Sequence, residues 1–328
     1  MTAPPEPKPL YAARLNAFRI GLQGRPGLAE MLARAASVEG IDAADLNYPD
    51  HFADHAPAEA AALLAREGLA LNGLAMRYGA DPALRLGAFT NPDRTVREAA
   101  IDLTRRGLDA LAEMGGRLMT LWMGQDGVDY SFQGDYGRMW DDAIDALRRL
   151  AAHDPALDLA IEYKPNEPRA YSLMPDIGTT LLAVKEAGAP NLGVTLDFAH
   201  VLYADELPAH AARLVARHSR LLGVHLNDGY GKRDDGLMVA SVHPVQTLEL
   251  FVELRRIGYS GAIYFDTFPD HGGADPCAEA AANVAMAERM RRIAARLEGD
   301  ARLAAAIAAQ DAPASLRIVA EALYGPEP

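Results

Sequence analysis

The stretch Leu159–Arg169, LAIEYKPNEPR, decides the fold. It opens apolar, as a buried strand does, then sets Glu162 and Lys164 two residues apart and halts at Pro165. Side chains two apart on a strand face the same side, so a carboxylate and an ammonium leave the strand end together. Alone, the pair reads as a salt bridge. Three later stretches share its form: GVTLDFAH with Asp197 and His200, LLGVHLND with His225, and AIYFDTFP with Asp266. Apolar runs ending in Glu, Asp, His and Asp are the pattern of a metal site. Carboxylates and imidazole without thiolate suit Mg2+, Mn2+ or Co2+.

Outward from this fifth strand, Leu159–Lys164, apolar runs at Ala17–Leu22, Ile41–Tyr48, Leu69–Tyr78 and Leu118–Trp122 predict strands one to four. Leu192–Asp197, Leu221–Leu226 and Ala262–Asp266 predict strands six to eight. Helical segments fall between them, and a closing helix spans about Asp275–Leu297. Eight alternations in under 300 residues predict an α/β chain folded as a closed (β/α)8 TIM barrel. An open doubly wound sheet is the rival, but no G-x-G-x-x-G follows the first strand. The expected organisation is a flexible arm (1–15), one barrel domain (16–298) and an alanine-rich helical tail (299–328). The tail suggests subunit contact in a homodimer or homotetramer.

Half of the 328 residues are hydrophobic, enough for a large core, and the net charge of −13 argues against nucleic acid as a partner. No apolar run reaches the ~18 residues of a membrane span. A proline-rich start without a signal-peptide core, and a single cysteine, Cys277, lead to an expectation of cytoplasmic residence.

Catalytic groups of such barrels collect at the C-terminal ends of the strands. KRDDG places Asp234 and Asp235 nine and ten residues beyond His225, so either could fold back to a second cation beside His200. The loop PDHFADHA holds Asp50, His51, Asp54 and His55. Arg77 and Tyr78 end the third strand, where they could meet substrate hydroxyls or form a rim ion pair. Met76, Met119 and Met123 read as barrel filling, and Asn166 and Glu167 as loop buttresses.

IEYKPNEPR is very similar to the signature strand of xylose isomerases. Gly87–Glu98 (GAFTNPDRTVRE), Leu121–Tyr130 (LWMGQDGVDY), Asp197-x-x-His200, VHLN, KRDD and YFDTFP resemble that family's segments in order, over roughly residues 70–270. The resemblance implies an aldose–ketose isomerase that uses two divalent cations and a 1,2-hydride shift. On that pattern Glu162, Asp197, His225 and Asp266 hold one cation. Asp197 bridges to a second, completed by His200 and Asp234 or Asp235. Lys164 would polarise the carbonyl, Trp122 would exclude water, and His51, oriented by Asp50 or Asp54, would open the sugar ring. Three positions depart from the pattern: Asp197 stands for Glu, His225 for Asp, and Gly236 for a second loop carboxylate. The set Glu, Asp, His, Asp looks more like rhamnose isomerases, and its first three members are shared with ketose 3-epimerases. An epimerase or related lyase is therefore the alternative, and a catalytically silent sugar-binding barrel the third. No glycine-rich phosphate cradle follows strands seven and eight, which favours an unphosphorylated sugar.

Overall fold

Strands buried on both faces must hide every side chain, and closing the sheet on itself does so. In the computed structural model, which describes residues 9–22, 27–79 and 81–325, eight parallel strands close into a barrel. They are β1 (Tyr11–Arg14), β2 (Ala43–Tyr48), β3 (Ala70–Met76), β4 (Leu118–Trp122), β5 (Asp158–Glu162), β6 (Leu192–Asp197), β7 (Leu221–Leu226) and β8 (Ile263–Phe265). Each pairs with its sequence neighbours and β1 pairs with β8. An outer ring of helices includes Leu28–Ala36, Pro57–Arg66, Arg94–Glu113, Tyr136–Ala151, Ile177–Ala187, Pro208–His218, Pro244–Arg256 and Pro276–Glu298.

The two-residue period sorts the strands into two faces. Leu192, Val194 and Leu196 of β6 join the large apolar core under the helices, as do Leu159 and Ile161 of β5 and Val224 and Leu226 of β7. The intervening Gly193, Thr195 and Asp197, Ala160 and Glu162, and Gly223 and His225 turn into the barrel. Ala12, Ala43 and Tyr264 form a separate small cluster within it. Apolar packing between barrel and helices thus leaves the interior free to become polar toward the strand ends.

Two expectations need correction. The first strand is Tyr11–Arg14, not Ala17–Leu22; Leu15–Arg19 is a 3-10 turn that buries Ala17 and Phe18 in the outer core. The small Ala12 and Ala13 pair with the large Tyr264 and Phe265 of β8. Of the arm expected over 1–15, residues 11–15 instead form β1 and the start of the 3-10 turn, and residues 1–8 lie outside those described. In the tail, Ala301–Ala308 and Ala312–Tyr324 fold back on their own chain, where Leu303, Ile318 and Leu323 join the core and Arg289 donates to the Leu323 carbonyl at 3.0 Å. Among the described residues no helix is long and apolar enough to cross a membrane.

Candidate active site

An inward position at or just past the C-terminal end of each strand carries a functional side chain. From β1 to β8 these are Arg14, Asn47, Arg77, Trp122, Glu162, Asp197, His225 and Asp266. Glu162, Asp197, His225 and Asp266 bring one ligand atom each to a common place, all within 4.8 Å of one another. His225 Nδ1 is the converging nitrogen, 2.9 Å from Glu162 Oε1, 3.9 Å from Asp197 Oδ2 and 4.0 Å from Asp266 Oδ2. Its ring is braced by Tyr264, centroid to centroid 4.4 Å. Asn227 locks the acids: its amide nitrogen donates to both Asp197 oxygens (3.2 and 3.1 Å) and to the Asp266 carbonyl (3.1 Å), while its oxygen accepts from Ala199 N–H.

A second group adjoins the first. Asp197 caps the short helix Phe198–Tyr203, accepting from His200 N–H, and so presents His200 one turn on. His200 Nδ1 lies 3.0 Å from the Tyr163 carbonyl, which only a ring N–H can satisfy, so Nε2 faces Asp234 Oδ2 at 3.1 Å. Lys164 Nζ reaches the same Asp234 oxygen at 3.1 Å and Glu167 Oε2 at 2.8 Å. Glu167, expected to brace its loop, instead turns back to the lysine, while Asn166 bonds the Tyr203 hydroxyl. Asp235 is corrected out of the site: its oxygens accept from Tyr230 N–H and pair with Arg233, both at 2.8 Å. Gly236 holds φ +56°, and a Cβ there would strike the Phe268 ring. An aromatic wall thus stands where the loop would otherwise offer another side chain.

Charge crowding is the dominant physical fact of this mouth. Burial favours neutral imidazoles, yet the surrounding carboxylates outweigh it, raising His225 to about 9 and His200 to about 10. Asp197, 1 % exposed, is pushed up to about 7 by burial, against the opposing pull of His200. Burial also works upward on Glu162 and Asp234, but His225 takes the former down to about 2, and His200 with Lys164 hold the latter well below the carboxylate range. Lys164 is raised: burial opposes its charge, and Asp234 and Glu167 more than compensate. The buried oxygens Asp234 Oδ1 and Asp266 Oδ1 have no hydrogen-bond partner among the described residues. Acids and imidazoles converging this closely, with the unpartnered Asp234 Oδ1 beside them, fit divalent cations, whose charge would displace the imidazolium protons.

A cavity of about 280 Å3 opens over these groups, lined by Arg14, Asn16, Arg77, Trp122, Glu162, Lys164, His200, Asp234, Asp266 and Phe268. Trp122 lies under both Lys164 Nζ (5.4 Å) and the Arg77 guanidinium (5.9 Å). Gly124 lets that ring fold back, since a Cβ would meet it at 2.6 Å. Tyr78 points away, bonded to Thr104, and Met76, Met119 and Met123 are core.

His51 is buried behind Asn16, and its partners are not Asp50 or Asp54, both exposed. Nδ1 accepts from Asn47 N–H and Nε2 faces Asn16 Oδ1, each at 3.0 Å. Burial, with Arg19 and Arg77 nearby, lowers it to about 3. Both ring nitrogens are thus engaged by Asn47 and Asn16, not by the expected Asp50 or Asp54.

Sequence reading missed Asn227, Asn16, Asn47 and Arg14. Asn227 had a signal, since it shares the parity of His225; Asn16 lay hidden by the misplaced first strand.

Comparison with known proteins agrees with this geometry. A family model described as xylose isomerase-like TIM barrel matches residues 32–293. A xylose isomerase of Thermus thermophilus is 27 % identical over 284 residues, 80 % of this chain and 73 % of that protein. One from Thermus caldophilus is 28 % identical over 57 % of this chain, which spans half the length of that relative. Among solved structures, a D-allulose 3-epimerase from Methylomonas sp. superposes with TM-score 0.68 at 18 % identity, covering 87 % of this chain and 98 % of that one. With eight strands closed, acids and imidazoles gathered at their C-terminal ends, and the family model spanning most of the barrel, the chain belongs to the xylose isomerase-like TIM barrel family.

Proposed function

We propose that this protein is a divalent-cation-dependent aldose–ketose isomerase for an unphosphorylated sugar. The observation that carries the reading is Lys164, whose ammonium, 7 % exposed, opens on the same cavity as Glu162, His200, Asp234 and Asp266. Glu162, Asp197, His225 and Asp266 would hold one cation, and His200 and Asp234, with Asp197 between the groups, a second. Bound there, the cations would act as Lewis acids on hydroxyl and carbonyl oxygens of the open-chain sugar.

The chain's own side chains supply the rest. Lys164, fixed by Glu167 and Asp234, donates to the carbonyl oxygen at C1, where negative charge grows. The C2–H bond breaks with its electron pair and a C1–H bond forms, while the proton on O2 passes to O1. Trp122 and Phe268 narrow the cavity and keep water from the migrating hydrogen.

The second reading, a ketose 3-epimerase, draws on the D-allulose and L-ribulose 3-epimerases among the similar folds. It requires carboxylate bases on both faces of one carbon. Here Asp266 is shared with Arg14 (3.5 Å) and with the His225 cluster, and the β5 end carries Lys164 beside a Glu162 that is itself paired with His225 (2.9 Å). An aldose deuterated at C2 separates the two. Label retained at C1 of the ketose supports the shift; label lost to solvent supports carbanion chemistry.

A further inference from the structure

The barrel mouth is divided by chemistry. Strands β5 to β8 deliver carboxylates and imidazole; β1 to β3 deliver Arg14, Asn47 and Arg77, with Asn16 just beyond. Hydrogen bonding fixes how this second half faces the cavity. The Asn47 backbone N–H can only donate, so His51 Nδ1 must accept, Nε2 must carry the proton, and Asn16 must turn its oxygen to the ring. The Asn16 amide NH2 is thereby left to the cavity that Asn16 lines. Arg77 Nε donates to Asn47 Oδ1 at 3.0 Å, consuming that acceptor and leaving the terminal guanidinium nitrogens on the cavity side. Suppressed protonation of His51 keeps the relay in one state at ordinary pH.

The other cations of the cavity have carboxylate partners: Lys164 has Asp234 and Glu167, and Arg14 has Asp266. Among the described residues no carboxylate lies within ion-pair distance of Arg77, whose hydrogen bond goes to a neutral amide. With divalent cations balancing the opposite wall, this guanidinium is the charge left for a ligand, and its planar fork matches a carboxylate.

We propose that Arg77 and Asn16 form a donor-only subsite for the carboxylate of an acid sugar, at the end of the substrate away from the carbons that isomerise. The assignment rests on the sugar-isomerase reading and narrows its substrate class. The test uses calorimetry with Mn2+ present and two unreactive ligands, xylitol and xylonate. Charge-assisted bonding predicts that xylonate binds about 10- to 100-fold more tightly. Arg77→Gln should abolish that preference, lowering xylonate affinity far more than xylitol affinity, and Arg77→Lys should keep part of it. Equal affinities in the wild-type protein overturn the proposal without need of any variant. A preference that survives in a folded Arg77→Gln protein also overturns it, because the carboxylate would then sit on the cation cluster. Since neither ligand reacts, absence of turnover with every aldose would defeat the isomerase reading and leave this comparison standing.

Discussion

Raising the pH of the cation-free protein should destabilise it. His225, wholly buried, titrates near 6.5 when unfolded and near 9 in the fold, because burial, which disfavours its charge, is outweighed by Glu162, Asp266 and Asp197. A group with a raised folded pKa contributes stability that is complete below its unfolded pKa and is lost as pH climbs through the folded one. The window is therefore pH 6.5 to 9. At 1.36 kcal/mol per unit the loss is about 3 kcal/mol, or roughly 5 °C in Tm for a chain of this size. His200 leans on overlapping carboxylates, so its own shift adds less than a second full increment. Thermal melts in a chelator, at steps from pH 6 to 9, measure this. His225→Gln should flatten the curve. Adding Mn2+ should reverse the trend, since a cation needs the imidazole neutral and its stabilisation grows as protons leave. A melting temperature that is level or rises from pH 6.5 to 9 in chelator would refute the electrostatic account.

Four substitutions probe the parts separately. Asn227→Ala strips both Asp197 oxygens and the Asp266 carbonyl of a donor; we expect about 1–3 kcal/mol less stability by denaturant titration, and cation affinity weakened about 10- to 100-fold. Lys164→Met should cut turnover by about 100-fold or more while cation affinity, read by calorimetry, changes little. Asp234→Asn should weaken the second of two cation-binding steps, whereas Asp235→Asn should alter loop stability by under about 1 kcal/mol and leave both steps intact.

Much of this was legible in the sequence because strands and metal ligands both write periodic, typed signals. β4, β6 and β7 begin and end where the apolar runs do, and Glu162, Asp197, His225 and Asp266 announce themselves by ending such runs. What stayed hidden depends on through-space partners. YAAR is too short and alanine-rich to look like a strand until Tyr11 and Ala12 are seen paired with Ile263 and Ala43. Asp234 and Asp235 are equivalent on paper; the loop that turns Asp235 onto Arg233 and Tyr230 N–H tells them apart. His51 looked reactive among polar neighbours, and only the fold reveals that two asparagines immobilise it.

The most direct test is anomalous diffraction from a crystal grown with Mn2+. The account predicts a manganese peak among Glu162, Asp197, His225 and Asp266, with a second beside His200 and Asp234. Crystals that show no manganese among the first four side chains would contradict it.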